Sequence, residues 1–265
     1  MVQPLFLEEI DDNGVAQIVL TRAEVHNAFN DDLIAELTTV LKGMEEDQRI
    51  RAVVLSAQGK SFSAGADLNW MKRMAGYSEK ENLADARALA GLMRTLNDLA
   101  KPTLALVHGA AFGGGVGLVA CCDIAIASTR ASFCLSEVKL GLIPAVISPY
   151  VIAAMGQRAA RRYFLSAERF DAQEALRIGL VHDVVPHDEL DMAGGRVLEA
   201  LLACGPQAQV AAKRLIFDLG GRPIDDSVVE ETAKRIAKVR AGDEAREGVS
   251  AFLEKRRPSF ARDDD

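Results

Sequence analysis

Three short segments of this sequence hold the residues whose types and spacing could do chemistry. HGAAFGGGVGLVACCD, residues 108–123, carries Gly113, Gly114 and Gly115 ahead of an apolar helical run. Backbone N–H groups at a helix start lack intrahelical partners and the helix dipole is positive there, so such a turn suits a developing oxyanion. SFSAGADL, residues 61–68, is a second small-residue turn, following the strand-like AVVLSA. Two turns of this kind at the ends of adjacent strands can aim N–H groups at one carbonyl oxygen. SEVKLGLIPAVISPY, residues 136–150, places one carboxyl, Glu137, between apolar neighbours. Desolvation favours the neutral form of a carboxyl, as a proton donor or acceptor near neutral pH requires. Taken alone, the glycine run also fits a tight turn or close helix packing, and Glu137 also fits a first-turn acid beside Ser136.

Other chemistries find less support. The glycines lack the spacing of a dinucleotide or Walker A loop, and no G-x-S-x-G nucleophile elbow occurs. His26, His108, His182 and His187 show no i, i+4 pairing, so no metal site is expected. Cys121, Cys122, Cys134 and Cys204 form no C-x-x-C pair and read as buried free thiols.

The elements that must position these segments follow an alternating β/α pattern. VAQIVL near residue 15, AVVLSA near 52 and TLALV near 103 read as strands. From Asp31 to Glu46, Leu33, Ile34, Leu37, Leu41 and Met44 form one stripe behind Asn30 as N-cap, which predicts a helix packed on a sheet. Ser78-x-x-Glu81 opens a second helix, with Leu83, Ala86, Ala90, Met93 and Leu96 inward and Lys101-Pro102 as its stop; Asp171-x-x-Glu174 opens a third. From about Pro206 the chain is helical in period, and no internal repeat is visible. These patterns predict one main domain and a smaller C-terminal helical part.

With 265 residues, 49% of them hydrophobic, the chain can bury a substantial core. Its net charge of −7 and lack of a basic run argue against nucleic acid as a partner. The absence of a long apolar stretch argues against a membrane span, and a cytoplasmic location is the default expectation.

Together with RAEVHNAF at 22–29 and FLEKRRPSF at 252–260, the three segments resemble the crotonase (enoyl-CoA hydratase/isomerase) superfamily over nearly the whole chain. The resemblance implies an α/β fold of repeated ββα units with a C-terminal helical trimerisation region, assembled as a homotrimer or a hexamer of two trimers. Residues 1–200 would form the core with the CoA and acyl site, and residues 201–265 the helical region for assembly and site closure. The ligand it implies is an acyl-CoA thioester, with coenzyme A part of the substrate and no separate cofactor.

Carried over by motif, the oxyanion N–H groups fall on Ala66 and Gly114. The CoA-binding positions fall on Val25, His26 and Ala28, on Ala64, Gly65, Asp67 and Leu68, and on Phe252 and Lys255; Lys255 equally reads as a surface cation. Asn69, Trp70, Met71 and Met74 read as acyl-pocket residues or as ordinary core filler, and Lys72 and Arg73 as a solvated face or as partners of a distal carboxylate. Hydratases of the superfamily use two glutamates, and here the first position is Gly117 and the second Glu137. Isomerases of the superfamily often keep only the second. The position a dehalogenase's aspartate would occupy is Ala145.

GGGVGLVACCDIAI, CLSEVKLGLIPAVISPYV and GQRAARRYFLSAERF further resemble bacterial hydratases of methylglutaconyl-CoA and isohexenylglutaconyl-CoA. That implies a branched acyl group whose own carboxylate helps to place water where Gly117 leaves room. The alternatives are a Δ3,Δ2-enoyl-CoA isomerase with one glutamate and a non-catalytic CoA-binding scaffold.

Overall fold

A computed structural model of the chain describes residues 4–262. Strands β1 (Phe6–Ile10) and β2 (Val15–Leu20) form an antiparallel hairpin, followed by helix α1 (Asp31–Glu46). Next come β3 (Ala52–Ala57), β4 (Ser61–Ser63), α2 (Leu68–Met74) and α3 (Glu79–Asp98), then β5 (Thr103–Val107), β6 (Ala110–Phe112) and α4 (Gly114–Cys121). β7 (Ile124–Ser128) and β8 (Ser132–Cys134) lead through a 3-10 turn at Glu137–Leu140 to α5 (Ser148–Ser166). β9 (Phe170–Asp171), α6 (Ala172–Arg177), β10 (Asp183–Val185) and α7 (Leu190–Leu202) complete the core; α8 (Pro206–Leu219), α9 (Asp226–Arg240) and α10 (Asp243–Leu253) follow.

Each successive strand pair divides between two sheets. β3, β5 and β7 join the sheet ordered β1-β2-β3-β5-β7-β10, while β4, β6 and β8 join the one ordered β4-β6-β8-β9. The unit is therefore a structural repeat with no repeated sequence. It asks of each segment only a buried strand, a turn, a short second strand and usually a helix, and many sequences satisfy that.

Local signals explain the helix starts. Asn30 caps α1 through Leu33 N–H, and the predicted stripe is the buried face. Ser78 and Glu81 form the reciprocal capping box of α3. The inward face of α3 differs from the prediction, because only its second half reaches the core. Leu92, Met93 and Leu96 are buried, whereas Leu83 is 49% exposed. Asp171 caps α6, yet the Glu174 carboxylate turns to Tyr163 Oη at 2.6 Å and to Arg177.

Close approaches decide where glycine must stand. A Cβ on Gly115 would lie 2.6 Å from the Ser63 carbonyl oxygen, so α4 can rest on β4 only without one. Asp123, which ends ACCD, accepts from Thr103 N (2.8 Å), Thr103 Oγ1 (2.9 Å) and Lys213 Nζ (2.7 Å), which ties α8 to the first sheet. Cys121, Cys122 and Cys134 are buried free thiols, and burial pushes Cys122 up to about 12. Cys204 departs from the expectation of burial and is exposed. No described helix is long and apolar enough to cross a membrane.

Candidate active site

Glu137, Gly113 and Gly65 meet where β4, β6 and β8 end. Gly113 adopts φ 50°, ψ −118°, a conformation open to glycine, and its N–H donates to the Cys134 carbonyl at 2.9 Å. Its own carbonyl accepts from Val116 and Gly117 N–H, which starts α4. Gly65 has φ +89°, and a Cβ there would stand 3.1 Å from the Phe112 carbonyl oxygen and 3.9 Å from Gly113 Cα. The two turns thus touch through Gly65 and Gly113, and the next residue of each is Ala66 and Gly114. Neither Ala66 N–H nor Gly114 N–H donates to any protein acceptor among the described residues. Phe29 packs under Gly114, with Cε2 3.1 Å from where a Cβ would be.

The first motif braces the second. Ala64 N–H donates to the His26 carbonyl (2.9 Å), Phe29 N–H to the Gly65 carbonyl (2.6 Å) and Asp67 N–H to the Phe29 carbonyl (2.8 Å). His26 and Asn27 hold positive φ of 56° and 53° at this crossing, and His26 Nδ1 lies 3.1 Å from Ser61 Oγ. Arg22 bonds the Ala28 carbonyl and pairs with Asp67 at 3.0 Å, both side chains being nearly buried. Burial raises the Asp67 carboxyl, but the N–H groups of Asn69 and Trp70 and the Arg22 charge outweigh it and hold it below the usual range.

The Glu137 carboxyl lies against the glycine junction, with Oε1 3.0 Å from where a Gly113 Cβ would stand. Its Oε2 is buried and has no hydrogen-bond partner among the described residues. Burial pushes the carboxyl above its ordinary range. Ser136, the residue before it, makes no side-chain cap, so Glu137 is held by its turn rather than as part of a capping motif.

Sequence-expected residues divide clearly. Gly65 and Gly113, the residues before Ala66 and Gly114, meet at Glu137, while His26, Ala28, Ala64 and Asp67 belong to the two turns braced on each other beside that junction, with Val25 next to His26. Leu68 is 74% exposed and Asn69 exposed beside the same turn. Trp70 is in the core, with Nε1 donating to Asp85 at 2.9 Å, and Met74 packs against that core; Met71 is half-buried. Arg73 pairs with Asp31 at 2.5 Å on the surface. Phe252 and Lys255 stand at the end of α10, and no hydrogen bond or ion pair joins them to the site among the described residues.

Gly117 requires a correction. The space that its missing side chain was expected to leave is taken at the Cβ position: a Cβ there would run into Ile147 Cγ2, with Ile147 Cβ at 3.0 Å and Met93 Cε at 3.2 Å. Sequence reasoning missed Arg22, Phe29 and Ile147 as members of this site. Arg22 opens RAEVHNAF and was legible by motif, whereas the fit of Ile147 to Gly117 is a three-dimensional relation with no local signal.

Residues 11–263 match the family described as enoyl-CoA hydratase/isomerase. The chain is similar to a crystal structure of an enoyl-CoA hydratase from Shewanella pealeana, with 51% identity, TM-score 0.93, and 97% of this chain and 96% of that one covered. It is 32% identical to a short-chain-enoyl-CoA hydratase of Clostridium acetobutylicum, covering 92% of each chain. It is also 31% identical to a mitochondrial Delta(3,5)-Delta(2,4)-dienoyl-CoA isomerase of Dictyostelium discoideum, over 97% of this chain and 90% of that one. On the matched span, the fold and the paired glycine turns, the chain belongs to the enoyl-CoA hydratase/isomerase family, the crotonase superfamily.

Proposed function

We propose that this chain is a hydratase that adds water syn across C2=C3 of a branched, 3-methylglutaconyl-type acyl-CoA. The observation that carries the reading is the half-buried Glu137 side chain, whose Oε2 is buried without a partner among the described residues, at the junction of two turns with free N–H groups. In this reading the thioester oxygen lies between Ala66 N–H and Gly114 N–H, which stabilise the charge that develops as the enolate forms. The Glu137 carboxylate takes a proton from water as the water oxygen bonds to C3, then delivers that proton to C2 on the same face. The braced turns at Val25, His26 and Ala28 and at Ala64, Gly65, Asp67 and Leu68 take the CoA portion. The distal carboxylate leaves on the side away from Ile147, since an apolar wall offers a charge no compensation.

A second reading, a Δ3,Δ2-enoyl-CoA isomerase, draws on one specific observation. The Gly117 position is filled by Ile147, so no second carboxyl stands there, and one base can carry a proton between two carbons. Incubation with 3-methylglutaconyl-CoA, crotonyl-CoA and a 3-enoyl-CoA separates the two. Loss of the conjugated enoyl absorbance with the first supports the hydratase, and a gain of conjugation with the last alone supports the isomerase. Turnover of none would remove both.

A further inference from the structure

Phe29 touches both of the turns that carry Ala66 and Gly114, each in a different way. Its backbone pairs alongside Ala66: Phe29 N–H donates to the Gly65 carbonyl at 2.6 Å, and the Phe29 carbonyl accepts from Asp67 N–H at 2.8 Å. The Gly65 carbonyl and the Ala66 N–H belong to one peptide unit, and in a planar trans peptide the two point in opposite directions. Anchoring that carbonyl on Phe29 therefore aims the Ala66 N–H away from the bridge. The Gly113 carbonyl does the same for the Gly114 N–H. It accepts from Val116 N–H (2.9 Å) and Gly117 N–H (3.2 Å), which turns the Gly114 N–H out of the start of α4. These bonds orient each donor without fixing the spacing between them. The Phe29 ring does that: its Cε2, Cδ2 and Cζ lie 3.1, 3.3 and 3.7 Å from where a Gly114 Cβ would stand, and the residue is 2% exposed. A close-packed interior passes on a displacement at such a contact.

We infer that Phe29 is the positioning residue of the oxyanion site: its main chain orients the Ala66 N–H, and its ring sets where the Gly114 N–H stands relative to it. The inference rests on the acyl-CoA reading above. Phe29 acts through the two N–H groups, so its side chain matters most where charge develops on the thioester oxygen.

The test reads the carbonyl stretch of bound butyryl-CoA, isotopically labelled at the thioester carbonyl, by infrared difference spectroscopy, which requires no turnover. Two aimed donors polarise the carbonyl, so wild type should lower the frequency from that of the free thioester. Phe29→Leu keeps the backbone bonds and withdraws the ring edge. The downshift should shrink, and kcat on an enoyl-CoA should fall roughly tenfold, a part of the hundredfold or more that losing a whole oxyanion donor costs, with a much smaller change in butyryl-CoA affinity. Phe29→Met, flexible and similar in volume, stands in should the leucine variant fail to fold. Gly114→Ala presses a methyl on the ring and should also shrink the downshift. In the double variant that methyl enters the space the ring edge vacated, so downshift and kcat should return toward wild type, which a loss of stability alone would not give. Folded Phe29 variants with the wild-type downshift and kcat would overturn the inference, as would a double variant whose losses add. A wild type that does not bind butyryl-CoA, or binds it with no downshift, overturns it together with the acyl-CoA reading, whereas a downshift without hydration of an enoyl-CoA sinks the hydratase reading alone.

Discussion

At the residue scale, Glu137 carries a largely desolvated carboxyl whose Oε2 has no partner among the described residues, and that has a cost separate from catalysis. In the unfolded chain it ionises at the ordinary glutamate value, about 4.3, while burial raises its folded value. Between the two values the folded state holds the proton that the unfolded state has lost. The relative stabilisation is complete below the unfolded value and is lost as pH rises through the folded one. Glu137→Gln does not titrate, so in thermal melts its Tm should gain on wild type as pH rises from the ordinary glutamate value through the raised folded one. A Tm difference that stays constant with pH would show that folding does not raise the Glu137 carboxyl. Glu137 was legible from its apolar neighbours and its motif. The closure at Gly117 was not, because a glycine in a sequence does not say whether its missing side chain leaves space or is replaced by a neighbour. Here Ile147, thirty residues on, replaces it.

At the element scale, the site depends on loops braced by one another. Asp67 caps α2 through Asn69 and Trp70 N–H and pairs with Arg22, so one carboxylate adds a side-chain tie to the backbone bonds between AGAD and RAEVHNAF. Asp67→Ala removes the cap and leaves Arg22 without its charge partner, which should cost about 3 kcal/mol in urea unfolding. A loss under about 1 kcal/mol would mean that the brace is not structural. The Asp67 carboxyl sits below its usual range, so its stabilisation is complete above the unfolded value near 3.9 and is lost as pH falls through the folded one. The caps at Asn30, Ser78 and Asp171 were readable because capping is a local pattern of side chain and spacing. The sheet partition of β3 with β5 and of β4 with β6 was not, because pairing between strands some fifty residues apart is set by tertiary packing.

At the scale of the whole molecule, the C-terminal helices and the connection between α8 and α9 carry more apolar surface than one chain covers. Ile216, Ile224, Val249 and Phe252 are 70%, 89%, 60% and 82% exposed. Patches of that kind mark association surfaces. We propose that they are buried in a homotrimer or a multiple of one, and light scattering at micromolar concentration should give a mass near three or six chains. A clean monomer would contradict it. The helical character of this region was legible from its period, whereas which of its apolar residues face outward is fixed only by the packing of the folded chain. All three scales converge on one carboxyl at the contact of two turns. The most direct test is steady-state kinetics of Glu137→Gln against wild type on 3-methylglutaconyl-CoA in the assembled enzyme. The account predicts a fall in kcat of roughly a hundredfold or more with thioester binding nearly unchanged; a folded variant that keeps a near wild-type kcat would contradict it.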